Sequence, residues 1–202
     1  VLLICFISLG VRAGLVVVNT NPMYTARELR HQLEDSGAKA IVVLDNFAAT
    51  LQHVVAETQV QHIVTTGLGD LLGFPKGALI NFALKHVKKM VPAFNLPHAV
   101  RFRDALARGA AHPLQPVALN HDDIAFLQYT GGTTGVAKGV ILTHRNLVAN
   151  AYQCKYWFPG LPEGKEVFML AIPIFHCYGM TAGMTFALTL AASIVLVPKF
   201  DV

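Results

Sequence analysis

The chain has 202 residues, 53% hydrophobic and only 14% charged, which is enough length and apolar content for one domain with a well-buried core. Its formal net charge of +4 admits anionic ligands or phospholipid without selecting between them, and no nucleic-acid partner is expected. Cys5, Cys154 and Cys177 form neither a C-x-x-C pair nor an even set, which argues against a disulfide framework or a zinc site and for a reducing, cytoplasmic setting.

Residues 1–11 are apolar, but Arg12 interrupts the run before it could span a bilayer. A signal peptide and a core helix both fit this pattern. The second apolar run, 15–18, favours the core helix, and no membrane-spanning segment is expected. Residues 15–19 read as a strand. Thr25 is placed to cap a helix reaching Ser36, with Glu28 completing a capping box and Gly37 ending the helix. Residues 39–44 give the next strand, 46–58 a second helix, and 62–65 a third strand closed by the turn Gly67-Leu68-Gly69. Such alternation is that of an α/β fold, a parallel or mixed sheet covered by helices.

From Asp70 onward the pattern loosens. Pro75, Pro92, Pro97, Pro113 and Pro116 punctuate what reads as a peripheral insertion around one convincing helix, 78–90. Leu79, Phe82, Ala83, Val87 and Met90 fall near one face of that helix, while Lys85, Lys88 and Lys89 supply charge. Two readings stay open here: a surface helix packed on its own domain, and a basic amphipathic helix giving peripheral association with a membrane surface. No repeat and no low-complexity linker marks a domain boundary. Asp122 and Asp123 have no partner that suggests acid/base work and are expected to cap a turn or helix.

The chemistry lies in AFLQYTGGTTGVAKGV, residues 125–140. A buried strand enters a loop of small and hydroxyl residues and leaves as a second strand. Gly131, Gly132, Gly135 and Gly139 can take positive φ, so successive N–H groups can converge on an anion. Thr130, Thr133 and Thr134 add hydroxyl donors, and Lys138 adds a full positive charge that no turn requires. Together they specify a polyphosphate site. It is not the G-x-x-x-x-G-K-[ST] loop, because Val136 and Ala137 separate Gly135 from Lys138 and Gly139 follows the lysine.

The segment resembles the phosphate-loop signature of the adenylate-forming superfamily, aromatic-T-S/G-G-T-T-G-x-x-K-G, from Tyr129 to Gly139, with Ala137 where proline is common. Residues 13–29, with Ala13-Gly14, Asn21-Pro22, Tyr24 and Glu28-Leu29, resemble a segment of fatty acyl–CoA ligases. By its residues alone that stretch is a strand end, a Pro turn and a capped helix. Residues 171–179, with Pro173, Phe175, His176 and Gly179, resemble the P-x-[FY]-H-x-x-G segment bordering the acyl pocket of the superfamily. Taken alone, His176 could equally be a hydrogen-bonded core histidine.

The resemblance implies part of the large N-terminal domain of an adenylate-forming enzyme, most like the bacterial long-chain fatty acid–CoA ligases. Residues 1–202 would be a partial AMP-binding domain. The adenine- and ribose-binding segments and a small lysine-bearing C-terminal domain would lie outside the chain. The implied reaction uses ATP, Mg²⁺ and CoA to convert a fatty acid through acyl-AMP to acyl-CoA, in the cytoplasm or peripherally on the inner membrane. The implied phosphate-binding set is Tyr129, Thr130, Gly131, Gly132, Thr133, Thr134, Gly135, Lys138 and Gly139. Lys138 and Thr133 would be catalytic, Thr130 the metal contact, and Phe175, His176 and Gly179 the acyl-side residues. A peptide-synthetase adenylation domain, a luciferase-like oxygenase and a non-catalytic membrane module remain as alternatives at this point.

Overall fold

The computed structural model describes residues 2–131 and 136–197. In chain order the elements are α1 (Leu2–Arg12), β1 (Val17–Val18), α2 (Ala26–Ser36), β2 (Ala40–Leu44), α3 (Ala48–Gln52), β3 (His62–Thr66), α4 (Lys76–Phe82) and β4 (Ala99–Arg101). Then follow α5 (Phe102–Ala110), β5 (Ile124–Thr130), β6 (Lys138–Thr143), α6 (His144–Trp157), β7 (Val167–Leu170), α7 (Phe186–Thr189) and β8 (Ser193–Leu196). Two π-helical stretches join them, Ala83–Val87 after α4 and Gly179–Thr185 before α7. The class is α/β, as expected, but the chain forms two compact units, one of Val1–Asn19 with Gln115–Val202 and one of Thr20–Leu114.

In the unit Thr20–Leu114, α2 begins where Thr25 and Glu28 dictate. The Thr25 hydroxyl accepts from the Glu28 N–H at 3.4 Å, and the Glu28 carboxylate accepts from the Thr25 N–H at 2.8 Å. Gly37 ends the helix in the left-handed region at φ 61°. Leu29 and Leu33 of this helix pack on Leu51, Val54 and Ile63. The expected helix 46–58 is broken: α3 is flanked by two short 3₁₀ turns, Asp45–Phe47 and Val55–Glu57. Adjacent β-branched Val54 and Val55 crowd a helical turn, and the break leaves Val54 only 5% exposed in the core.

Strands β2, β3 and β4 pair in parallel, with Ala40 opposite His62 and Ile63 opposite Ala99. The region after Asp70 is therefore not only a peripheral insertion, because it supplies the third strand and the helix α5. The expected helix 78–90 starts at Lys76 as α4 and runs into the π stretch. Its buried side holds Gly77, with Ile80, Asn81 and Leu84 partly covered. Its apolar stripe is open: Leu79 is 69% exposed, Phe82 59%, Val87 69% and Met90 52%. The helix packs on its own unit through Gly77 and Asn81 and leaves that stripe uncovered.

In the other unit, α1 is a core helix. Its Ile7 is buried with Ala125, Phe126, Met180 and Met184, and no described helix is long and apolar enough to cross a membrane. The sheet order is β1-β5-β6, with β1 parallel and β6 antiparallel to β5, while β7 and β8 form a separate parallel pair. The expected strand 15–19 shortens to Val17 and Val18, with Leu15 and Val16 exposed. Asp123 caps a turn through the Asn120 N–H at 2.6 Å. Asp122 does not cap: it receives both Nε and Nη2 of Arg145, at 2.9 and 3.2 Å. That hydrogen-bonded guanidinium holds the Asp122 carboxyl below its ordinary range.

Candidate functional site

β5 carries the phosphate-loop sequence out of the core. Ala125, Phe126, Gln128 and Tyr129 are buried and Thr130 is exposed. Pairing with β6 proceeds through Gln128 opposite Val140 and Tyr129 opposite Gly139 to Thr130 opposite Lys138. Side chains alternate along a strand and paired positions share a face. Gln128, Thr130, Lys138 and Val140 therefore project to one side, Tyr129 and Gly139 to the other. Thr130 and Lys138 are both exposed, and ladder geometry sets their Cα atoms about 4.5–5.5 Å apart. A hydroxyl and an ammonium thus stand together at the solvent end of the ladder, a donor pair suited to an anion.

Tyr129 closes the opposite face. It is 7% exposed, and a Cβ on Gly139 would lie 3.0 Å from its Cζ. Close approach of the ring accounts for this glycine. Neither Gly131 nor Gly139 adopts a positive φ, which corrects that part of the expectation for the loop. Gly132, Thr133, Thr134 and Gly135 lie outside the described residues.

The acyl-side segment is tied to the same strand. Gln128 donates from Nε2 to the Phe175 carbonyl at 2.8 Å, and its Oε1 accepts from Asn19 Nδ2 at 3.0 Å. Asn19 Nδ2 also lies 3.4 Å from Met180 Sδ. Asn19 and Gln128 are 5% and 3% exposed, so the contacts between them and to Met180 are made out of water, while the bond to Phe175 is half-buried. Asn19 and Phe175 belong to two of the stretches that carried the resemblance and Gln128 directly precedes the third, and they meet at one side-chain amide. Since Gln128 shares its face with Thr130, the turn bearing Phe175 and His176 is anchored beside the face from which Thr130 and Lys138 project.

His176 is exposed, which removes the core-histidine reading. Its N–H donates to the Pro173 carbonyl at 3.2 Å, its carbonyl accepts from the Met180 N–H at 2.9 Å, and its ring lies 4.7 Å from that of Phe175. Gly179 is buried, and a Cβ there would fall 2.3 Å from the Pro173 oxygen. Its role in the fold is to let the π stretch press against the Ile172-Pro173 turn, not to lend flexibility. Sequence reasoning missed Asn19 and Gln128 as positioning residues. The available signal was an amide inside an apolar strand, where a buried polar group needs partners.

Among the described residues no group of three or more His, Cys, Asp or Glu side chains could hold a metal ion. A cavity of about 480 Å³ lies in the other unit, following the carboxyl ends of β2, β3 and β4. Its lining includes Asp45, Asp70, Asn81, Lys85, Arg101 and Arg103, and none of the expected site residues. Much of its charge is spent internally: Arg101 binds both Asp45 oxygens, and Asp70 accepts from Thr66, Gly67 and Asn81.

Comparison with known proteins bears on this geometry. A family model described as AMP-binding enzyme matches residues 8–202. The chain is 51% identical over 171 residues to the long-chain-fatty-acid–CoA ligase of Salmonella typhimurium, covering 84% of this chain and 30% of that protein. It is 48% identical over 189 residues to the enzyme of that name from Haemophilus influenzae, covering 92% of this chain and 34% of the relative. ATP-bound MatB from Rhodopseudomonas palustris shares the fold, with TM-score 0.68 over 98% of this chain and 33% of that one at 24% identity. The chain spans about a third of the length of the relatives it matches.

Proposed function

The chain belongs to the AMP-binding enzyme family, and on that premise we propose that it forms part of the adenylation domain of a long-chain fatty acid–CoA ligase. In the reaction a fatty acid carboxylate oxygen attacks the α-phosphorus of ATP, the bond to pyrophosphate breaks, and acyl-AMP forms. The CoA sulfur then attacks the acyl carbon and AMP leaves. Thr130, Gly131, Gly132, Thr133, Thr134, Gly135 and Lys138 bind the β- and γ-phosphates, with Tyr129 and Gly139 shaping the strand ends behind them. Lys138 and Thr133 stabilise the charge on the departing pyrophosphate, since phosphoryl chemistry needs neutralisation and alignment more than covalent help. Phe175, His176 and Gly179 border the acyl group.

Mg²⁺ would neutralise phosphate charge, with Thr130 as its contact in this chain. The described residues offer Thr130 as an exposed hydroxyl beside a lysine and no carboxylate cluster. They fit an ion carried largely by ATP oxygens and water. The observation that carries the reading is the Gln128 amide, which joins the phosphate-side strand to the acyl-side turn. The setting proposed is cytoplasmic, with peripheral attachment to the inner membrane.

The test is pyrophosphate exchange in a full-length ligase containing this chain. Lys138→Ala should lower ATP use at least tenfold, while Lys165→Ala, an exposed lysine outside the loop, stays near the parent value. Indistinguishable variants would remove Lys138 from the site.

A further inference from the structure

The helix 76–87 has two unlike sides. The inner one is fixed: Asn81 donates to Asp70 at 2.8 Å and accepts from the Gly69 N–H at 2.8 Å. Gly77 is pressed so closely to Gly69 that a Cβ would lie 2.3 Å from its carbonyl oxygen. Asn46 holds the far end by donating to the Met90 carbonyl at 2.9 Å. The outer side presents Leu79, Phe82 and Val87, with Met90 just beyond the helix, each more than half exposed, and Phe74 of the preceding loop is 86% exposed. This is a rigidly mounted apolar stripe, and a soluble surface rarely leaves one uncovered.

Its flanks carry one sign of charge. Residues 71–103 contain Lys76, Lys85, Lys88, Lys89, Arg101 and Arg103 and no aspartate or glutamate. Arg101 is spent on Asp45, but among the described residues none of the four lysines is in an ion pair. Lys76 opens α4, Lys85 lies in the π stretch beside the cavity, and Lys88 and Lys89 directly follow the helix, next to Met90. Exposed apolar side chains edged by unpaired lysines match an anionic interface, where the side chains enter the acyl boundary and the ammonium groups meet headgroup phosphates.

We propose that Leu79, Phe82, Val87 and Met90, with Lys76, Lys85, Lys88 and Lys89, form a docking surface for an anionic phospholipid bilayer. The proposal deepens the peripheral-attachment reading above and rests on it, but not on the ligase chemistry. It gives the unit Thr20–Leu114 a function apart from the phosphate loop, which belongs to the other unit.

The experiment is co-sedimentation of the full 202-residue chain with vesicles of phosphatidylglycerol and phosphatidylcholine, against phosphatidylcholine alone. The expected result is binding to the anionic vesicles, weakened at least tenfold by K85E/K88E/K89E and by L79S/F82S. Y156S/W157S, which alters exposed aromatics of the other unit, should bind like the parent. A Phe82→Trp probe in a Trp157→Phe background should shift its emission to the blue on adding anionic vesicles, a reading that does not depend on variants losing their fold. Absence of binding by the parent chain would overturn membrane attachment altogether. Binding that survives both sets of changes, or is lost equally in Y156S/W157S, would overturn the assignment to this face and leave attachment standing. A concentration-dependent dimer in vesicle-free buffer, abolished by L79S/F82S, would assign the stripe to a second copy and overturn the proposal.

Discussion

Gln128 occupies a buried position where its amide serves both neighbours. It donates to the Phe175 carbonyl and accepts from Asn19. Gln128→Ala leaves the buried Asn19 N–H and the half-buried Phe175 carbonyl without that partner, and a buried loss of this kind costs about 1–3 kcal/mol. The 202-residue chain should therefore lose stability of that order, read as a lower urea midpoint at unchanged m. Gln128→Glu, when ionised, keeps the acceptor and loses the donor, so it should release Phe175 while retaining Asn19. In a full-length ligase, Gln128→Glu should raise the KM for fatty acid more than the KM for ATP. An equal effect on both substrates would deny Gln128 a positioning role toward the acyl side. The residue types of this relay were visible in the sequence, but their convergence was not, because 109 positions separate Asn19 from Gln128 and 47 separate Gln128 from Phe175.

At the scale of elements, local rules held where a short motif determines the conformation and failed where pairing does. The capping box of α2 and the strands around the loop were legible, since Thr25, Glu28 and Gly37 act within one turn of their own backbone. β4 was not, because three residues are too few for any periodicity and only the pairings Ile63–Ala99, Val64–Val100 and Thr65–Arg101 make them a strand. The two capping boxes give a paired test. α6 carries one of the same form, Thr143 with Asn146, which has no ionisable member. Thr143→Ala should cost about 1 kcal/mol at any pH from 3 to 7. In the other box, hydrogen bonds from the Thr25 side chain and backbone lower the Glu28 pKa from its ordinary 4.5. A carboxylate with a depressed folded value stabilises above its unfolded pKa and loses that contribution as pH falls through the folded value. The destabilisation by Thr25→Ala, followed by thermal unfolding, should thus be full above about pH 4.5 and shrink in acid. A Thr25→Ala penalty as flat with pH as that of Thr143→Ala would show that the Glu28 charge contributes nothing to the cap.

For the whole molecule, the unit boundary was hidden because it separates Asn19 from Thr20, inside one of the stretches that carried the family resemblance, and because the first unit is assembled from both ends of the chain. Composition and turn signals report on neighbours in sequence, and a discontinuous unit leaves no such trace. Both segments of the proposed cleft, the strands around the phosphate loop and the Pro173–Gly179 turn, fall in that unit. Yet the chain spans only 30–34% of the ligases it resembles. Activation of a carboxylate by ATP needs contacts to adenine and ribose and a site closed against water, since charge on the leaving pyrophosphate is stabilised best by fixed donors in a dry cleft. Thr130 and Lys138 stand exposed here, so the 202 residues alone leave that face open to solvent. The purified chain should accordingly give no CoA-dependent formation of AMP or acyl-CoA from fatty acid and ATP. Any affinity for ATP or pyrophosphate should be weak and fall with salt, because donors without surrounding walls act through screened charge. Calorimetry at two ionic strengths, beside a product assay by chromatography, reads both quantities. Clear turnover by the 202-residue chain would mean that the proposed division of the active site between this chain and the remaining length of its relatives is wrong.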